Sequence, residues 1–343
     1  MFFDRLATVA TEKYAMAARI LIGTDEAGYG PNLGPLTVAA TVWHLPDGVE
    51  PIKLWDELKT VLTCKPERGD QRLHVADSKQ VFSPGEGLEA LEVAVLAFLN
   101  LLKAGTTSID ELCRSVSLAS QRDAFSAAYQ AEPWNTSPGL SLPIDSSDDH
   151  IREWVVTLNS ALAERGIRLL GIRARVMFPA EFNQLVAQSD SKGVVLSNAT
   201  MELVRDLAGF CSTDPATRDM ATLVVCDKHG GRNRYDQLIS QHFDDQFVFR
   251  LEESRERSRY RMGSMDFCFR TKAEEFLPVA LASMVAKYTR EVLMHQFNHF
   301  WATQVPRLRP TQGYPLDAKR FRDDIASSVE TLQVPMQQLW RNR

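Results

Sequence analysis

Gly23-Thr24-Asp25-Glu26-Ala27-Gly28-Tyr29-Gly30-Pro31-Asn32-Leu33-Gly34-Pro35 lies between two apolar runs, Arg19–Thr24 (RILIGT) and Leu36–Val42 (LTVAATV). Both runs read as strands. The Gly and Pro content between them predicts a hairpin with a broad turn. Asp25 and Glu26 are adjacent carboxylates at the end of an apolar strand, and like charges that close raise each other's pKa unless a cation joins them. Alone, the pair reads equally as a solvated strand end or a cap. The run of Gly28, Gly30 and Gly34 adds a second reading. Backbone without side chains can approach a ligand closely, and a metal-bound phosphate fits there.

Two more acidic signals lie further along. Asp227 follows the apolar run Leu223–Cys226 (LVVC) and precedes Lys228-His229-Gly230-Gly231-Arg232-Asn233-Arg234. Its ordinary reading is an Asp that opens a turn. Lys272-Ala273-Glu274-Glu275 precedes a helix, where acids commonly favour the helix dipole. Taken together, these are hard oxygen donors on separate segments, with no Cys or His at metal-ligand spacing. That set suits Mg²⁺ or Mn²⁺ rather than Zn²⁺. Two such ions can activate water and stabilise the leaving oxygen of a phosphodiester.

The chain has 343 residues, 44% of them apolar and 24% charged, which is enough for a packed core and argues against wholesale disorder. Its net charge of −5 excludes nucleic-acid binding by bulk positive charge, so any such contact needs a local basic face. Arg232, Arg234, Arg255, Arg257, Arg259 and Arg261 are the candidates for that face. Glu252, Glu253 and Glu256 interleave with them, so a solvated charged loop is the alternative. The longest nearly uninterrupted apolar stretch, Val93–Leu102, is far shorter than a membrane span of about 20 residues. Met1–Ala18 lacks a secretory apolar core. The five Cys are scattered with no C-x-x-C, which predicts a reducing, cytoplasmic setting.

Local patterns predict the remaining elements. Ser83-Pro84-Gly85-Glu86 reads as a helix start, with Leu88, Leu91, Val95, Phe98, Leu99 and Leu102 on one face and Gly105 as the stop. Glu132–Asp149 reads as a linker or long loop with little to bury. A helix follows, carrying Ile151, Trp154, Val155, Leu158 and Leu162, then a strand over Arg168–Phe178. Phe247–Leu251 and Tyr260–Phe269 read as a hairpin pair around the loop Glu252–Arg259, and Pro278–Phe300 as a strong helix. Strands mixed with helices predict an α/β or α+β sheet protein with an inserted segment in the middle of the chain.

Gly23–Pro35 resembles the G-x-D-E-x-G-x-G-x-x-x-G-P signature of the type 2 ribonuclease H family, ribonucleases HII and HIII. Further resemblances follow in family order: Asp77-Ser78-Lys79, Leu196–Met201, Asp227, Ala282–Lys287 (ASMVAK) with Arg290, and Gly313-Tyr314-Pro315. Together they span roughly 19–103 and 178–324. The resemblance implies an α/β fold, a ribonuclease H-like mixed sheet flanked by helices. It implies such a domain over 19–325, interrupted by an insertion at about 104–178, with terminal extensions 1–18 and 326–343. It also implies Asp25, Glu26 and Asp227 as catalytic metal ligands for Mg²⁺ or Mn²⁺, with two ions expected.

The chain departs from the family at the fourth acid, where K-G-D is replaced by Lys272-Ala273-Glu274. Glu274 is the expected ligand and Glu275 its rival. A second departure is Gly28-Tyr29-Gly30 in place of a G-R-G substrate turn, which removes a charged donor. The resemblance implies substrate contacts at Gly28, Tyr29, Gly30, Lys287 and Tyr314. Simple packing is the alternative for Tyr314, and an exposed helical Lys for Lys287. Asp77 reads as a turn or cap residue and His229 as a surface residue in a Gly-rich turn. The expected activity is a metal-dependent endonuclease. It would cut the RNA strand of RNA–DNA hybrids, or ribonucleotides embedded in DNA, leaving 5′-phosphate and 3′-hydroxyl ends. The alternatives are a nucleic-acid-binding protein on the same fold with little cleavage, and a nuclease for another phosphodiester.

Overall fold

The computed structural model of the protein describes residues 19–83, 85, 87–136, 139–230, 232–243 and 246–342. A seven-stranded mixed sheet in the order β5-β2-β1-β6-β9-β8-β7 forms its centre. The strands are β1 (Arg19–Ala27), β2 (Leu36–Leu45), β5 (Arg168–Met177), β6 (Ala221–Asp227), β7 (Phe249–Glu253), β8 (Arg257–Met262) and β9 (Met265–Arg270). A separate two-stranded pair, β3 (Leu62–Thr63) and β4 (Leu73–His74), lies apart from it. β1 is the hinge of the arrangement. It pairs antiparallel with β2 from Arg19↔Leu45 to Ala27↔Thr37, and parallel with β6 from Arg19↔Ala221 to Thr24↔Cys226. The expected hairpin around the glycine turn is present, and so is the helix-flanked mixed α/β sheet.

β1 alternates between two cores because strand side chains alternate faces. Leu21 belongs to one buried cluster, with Val225 and the helices Glu89–Leu101 and Leu277–Gln304. Ile20 and Ile22 belong to the other, with Val224, Cys226 and the helix Lys192–Thr213. Gly23 sets how close the Leu277–Gln304 helix comes. A Cβ at this position would sit 2.4 Å from both the Pro278 carbonyl carbon and the Val279 nitrogen. Backbone cannot yield as a flexible side chain can, so Gly23→Ala must push the helix off the sheet. We expect a loss of about 2–3 kcal/mol in urea unfolding. Unchanged stability would mean the helix has slack at its first turn.

Several local expectations need correction. The helix predicted from Ser83 begins at Glu89. Gly85 and Gly87 take φ of +98° and +82°, which no helix accommodates. Pro84 and Glu86 lie outside the described residues. The cap is supplied from far along the chain, where the Asp145 carboxylate accepts the Leu88 N–H at 2.6 Å. The helix ends at Leu101, and Lys103 at φ +55°, not Gly105, makes the left-handed exit.

The described residues of Glu132–Asp149 are not an unpacked linker; Ser137 and Pro138 lie outside the described residues. Trp134 is buried against Phe297 and Trp301, and Glu132 is buried while accepting from Trp134 Nε1. Further on, the N–H groups of Ile144, Asp145 and Ser146 all donate to the buried carboxylate of Glu92, at 2.8, 2.8 and 2.9 Å. Polar composition suggested a loop, but the segment's amides have a buried partner. Tyr260–Phe269 is two strands, broken at Gly263 with φ +55°, so the ribbon is β7-β8-β9 rather than one hairpin. The segment 104–178 ends in the edge strand β5, which pairs along β2. Of the expected extension 326–343, residues 326–342 are described. The helix Pro315–Thr331 runs through their start, and Leu339 is buried. The predicted extension 1–18 lies outside the described residues.

Candidate active site

Four carboxylates gather at one end of the sheet. β1 and β6 are parallel and in register through Gly23↔Val225. Asp25 and Asp227 each lie two residues beyond that pair, so strand alternation sends both to the same face. Asp25, Glu26, Asp227 and Glu274 are all half-buried. Burial holds Asp25 well above the ordinary carboxylate range, and the charge of Glu26 adds to it; a hydrogen bond from Ser283 opposes the shift. Glu26 is raised to about 7, first by burial and then by the Asp227 charge, with Lys79 pulling the other way. Asp227 is raised by burial and by Glu274, against hydrogen bonds from the Lys228 and Ala273 backbone. Asp25, Glu26 and Asp227 therefore each feel at least one other acid. The two candidates for the fourth acid point apart. Glu274 acts on Asp227, whereas Glu275 is exposed and pairs with Arg270 at 2.5 Å.

Lys79 and Ser283 belong to this cluster, although no pattern in the sequence assigned them a role. Lys79 is raised by Asp77 first, and also by Asp25, Glu26 and Asp227, so it is the cation shared by the acids. Asp77 caps the short helix Ser78–Val81 through the Lys79 N–H, in keeping with a turn or cap residue. Ser283 Oγ accepts the Ser78 N–H at 3.2 Å and so ties that cap to the Leu277–Gln304 helix. A signal for both was available: they sit inside the D-S-K and ASMVAK elements.

The set is all-oxygen, contains no soft ligand, and carries charge that its members cannot disperse among themselves. That chemistry fits a hard divalent cation. Among the described residues, however, no three His, Cys, Asp or Glu side chains converge as a closed metal-binding group.

The glycine turn beside the acids is tightly held. Gly28 has φ +89°, and a Cβ there would meet Arg290 Nε at 2.5 Å and the Pro35 carbonyl oxygen at 2.6 Å. Gly30 is exposed and has room, with Tyr314 at 3.8 Å. Arg341 is buried under the turn and donates to the Gly28 and Pro31 carbonyls, while Arg290 donates to the Leu33 carbonyl at 3.2 Å. The Asn32 N–H and Leu33 N–H both donate to the Gly313 carbonyl, at 2.7 and 3.3 Å. No sequence pattern pointed to Arg341.

The other expected residues are dispersed. Tyr29 lies under Lys192, whose Nζ is 4.5 Å from the ring centroid. Tyr314 is 54% exposed beside Gly30. Lys287 is neither free nor fully exposed: it pairs with the buried Glu291 at 2.6 Å and covers the Phe82 ring. His229 is not at the surface. It is buried against Tyr235 and Phe269, and burial followed by Arg232 lowers its pKa to about 4. The candidate basic face is split. Arg232 and Arg234 line a cleft with Asp236, whereas Arg255, Arg257, Arg259 and Arg261 lie on the β7-β8-β9 ribbon. Among the described residues no helix is long and apolar enough to cross a membrane.

No protein-family model matches the chain, and no curated protein matches it. Solved structures do superpose on it. Against the ribonuclease H2 of Pyrococcus horikoshii OT3 the TM-score is 0.46 at 14% identity, covering 93% of this chain and 92% of that one. Against the RNase HII of Archaeoglobus fulgidus, solved as a PCNA:RNase HII complex, it is 0.41 at 14% identity, covering 94% of each. Against Bst-RNase HIII in complex with Mn²⁺ it is 0.38 at 14% identity, covering 97% of this chain and 68% of that one.

Proposed function

We propose that the protein is a ribonuclease H-type endonuclease. It would hydrolyse the RNA strand of RNA–DNA hybrids, or ribonucleotides embedded in DNA, leaving 5′-phosphate and 3′-hydroxyl ends. The reading is carried by one observation: Asp25, Glu26 and Asp227 lie half-buried at one sheet end with their pKa values raised by burial and by neighbouring acids, Glu274 stands beside Asp227, and Lys79 is the cation that the first three share. A protein that only bound nucleic acid would gain nothing from acids that repel phosphate.

Asp25, Glu26, Asp227 and Glu274 would hold Mg²⁺ or Mn²⁺. When bound, such ions would supply a nucleophilic water at neutral pH and offset charge on the phosphoryl oxygens. The chain's own residues set the stage. Ser283 lies beside Asp25, and the Lys228 and Ala273 backbone beside Asp227, so polar groups already face both acids before any reaction. Lys79 offers a cation to a phosphate brought near the acids. The turn at Gly28–Gly30 gives backbone access beside them, and Tyr314 offers an exposed ring on which a sugar or base can stack. The intracellular, cytoplasmic setting belongs to the same reading, since all five cysteines are free.

The test is purified protein with Mg²⁺ or Mn²⁺ against labelled all-DNA duplex, RNA–DNA hybrid and duplex with one embedded ribonucleotide. Cleavage confined to the ribonucleotide-containing duplexes is expected; no cleavage of any would remove the reading. Glu274→Gln is expected to lower turnover at least about 100-fold, equivalent to about 3 kcal/mol. Glu275→Gln is expected to change it less than about threefold, and Mn²⁺ to support more activity than Mg²⁺, since the longer Glu makes a looser site. Damage from Glu275→Gln alone would make Glu275 the ligand.

A second reading, a nucleic-acid-binding protein with little cleavage, is favoured by the absence of a convergent ligand group among the described residues. Binding of the duplexes without cutting would select it.

A further inference from the structure

The ribbon β7-β8-β9 extends the sheet past β6, and its register continues the row on which the acids lie. Asp227 pairs with Arg270, and Arg270 with Arg257. At about 4.8 Å between strands, that row carries Arg270 and Arg257 about 5 and 10 Å from the backbone of Asp227. Arg259 and Arg261 follow Arg257 at alternate positions of β8. They share its face, while Ser258, Tyr260 and Met262 are buried on the other. Opposite Arg261 stands Phe249, which is 62% exposed. Where the ribbon's turn meets β6, a cleft of ≈ 680 Å³ opens, lined by Lys228, Gly230, Asn233, Arg255, Glu256 and Thr271. The turn is anchored there: Lys228 Nζ donates to the Ser254 carbonyl at 2.6 Å, and the Thr271 N–H to the Glu256 carbonyl at 2.9 Å.

We infer that this ribbon face is the path of the nucleic-acid backbone beyond the carboxylates, with Arg255, Arg257, Arg259 and Arg261 contacting successive phosphates. The inference rests on the proposed function and names the surface that it needs. A protein of net charge −5 that holds a polyanion must concentrate cations somewhere, and this row adjoins the acids. Acids on the same face do not cancel it. Arg257 pairs with Glu252 and Arg261 with Asp266, at 2.7 Å each, but with the arginine side chains about half exposed. Exposed pairs of this kind are worth at most about 1 kcal/mol, so a phosphate can displace them. Among the described residues no ion pair of the ribbon involves Arg255 or Arg259. The exposed Phe249 at the margin of the row gives a base or sugar an apolar ring to rest on.

The test is fluorescence anisotropy of a labelled RNA–DNA hybrid in EDTA, titrated from 50 to 300 mM KCl. The triple variant Arg257→Gln/Arg259→Gln/Arg261→Gln should flatten the slope of log K against log[salt] by about 2–3, at roughly 0.9 for each phosphate no longer neutralised. Arg259→Glu, which breaks no ion pair and so guards against misfolding of the triple variant, should weaken binding at least about fivefold at 100 mM KCl. Arg218→Gln removes an equally exposed charge that precedes β6 and is not part of the β8 row, and should leave the slope at the wild-type value. A wild-type slope and affinity in both ribbon variants would overturn the inference while leaving the functional proposal standing. Failure of the wild-type protein to bind hybrid at any salt would overturn both.

Discussion

Asp25→Asn is expected to abolish metal-dependent cleavage, lowering turnover at least about 100-fold, while the metal-free protein stays folded and becomes level or more stable. The first effect follows from removing one ligand charge, worth about 3 kcal/mol or more of transition-state stabilisation. The second follows from the electrostatics. Burial and Glu26 hold Asp25 far above its ordinary pKa, so the ionised group costs folding energy. Neutralising it relieves Glu26 and Asp227 as well, by on the order of 1 kcal/mol after solvent screening.

A carboxylate whose folded pKa is raised contributes stability at low pH that is lost as pH rises through the folded value. For Glu26 that window runs from 4.5 to about 7. His229 acts in the opposite sense, since its lowered pKa makes the fold lose stability as pH falls from 6.5 towards about 4. The informative curve is therefore the difference between wild type and Asp25→Asn, in which His229 cancels. It should favour the variant increasingly between pH 5 and 8 in EDTA, and the advantage should shrink when Mg²⁺ is added. A flat difference curve would mean the acids do not interact.

Glu92→Ala is expected to give the largest loss of stability, about 3–5 kcal/mol. Glu92 is fully buried and accepts from three consecutive backbone N–H groups and from Tyr288 Oη at 2.7 Å. Truncation leaves four donors without a partner, each costing about 1–3 kcal/mol unless water enters. Glu92→Gln should recover only part of this, because its amide turns two N–H donors toward groups that are themselves donors. Urea unfolding reads the loss. Hydrogen exchange should accelerate first at residues 144–146. A change below about 1 kcal/mol in Glu92→Ala would show that the segment 140–147 is held by something else.

Regular patterns were legible in the sequence and long-range partners were not. The strands β1, β2, β5 and β6 and the Leu277–Gln304 helix follow from alternation, apolar period and Pro at the helix start. The chain's misleading stretches are those where a distant residue overrides local composition. Asp145 caps a helix that Ser83 was expected to cap, and Glu92 organises a stretch whose Pro, Ser and Asp content reads as linker. In the candidate site, the adjacency of Asp25 and Glu26 was visible at once. The nearness of Asp227 depended on a parallel pairing that no local pattern encodes. Arg341 had no signal at all, because its partners are carbonyls of a turn more than three hundred residues earlier.

That parallel pairing of β1 with β6 also has a consequence for synthesis. The strand carrying Asp25 and Glu26 is made early, but its neighbour in the sheet starts at residue 221. A ribosome adding about 5–20 residues each second therefore leaves these acids without their partner strand for tens of seconds. Until β6 emerges, nothing brings Asp227 or Glu274 beside them. Any power to cut a phosphodiester is then withheld from the nascent chain, and from fragments ending before that strand, while the message being read is still at hand.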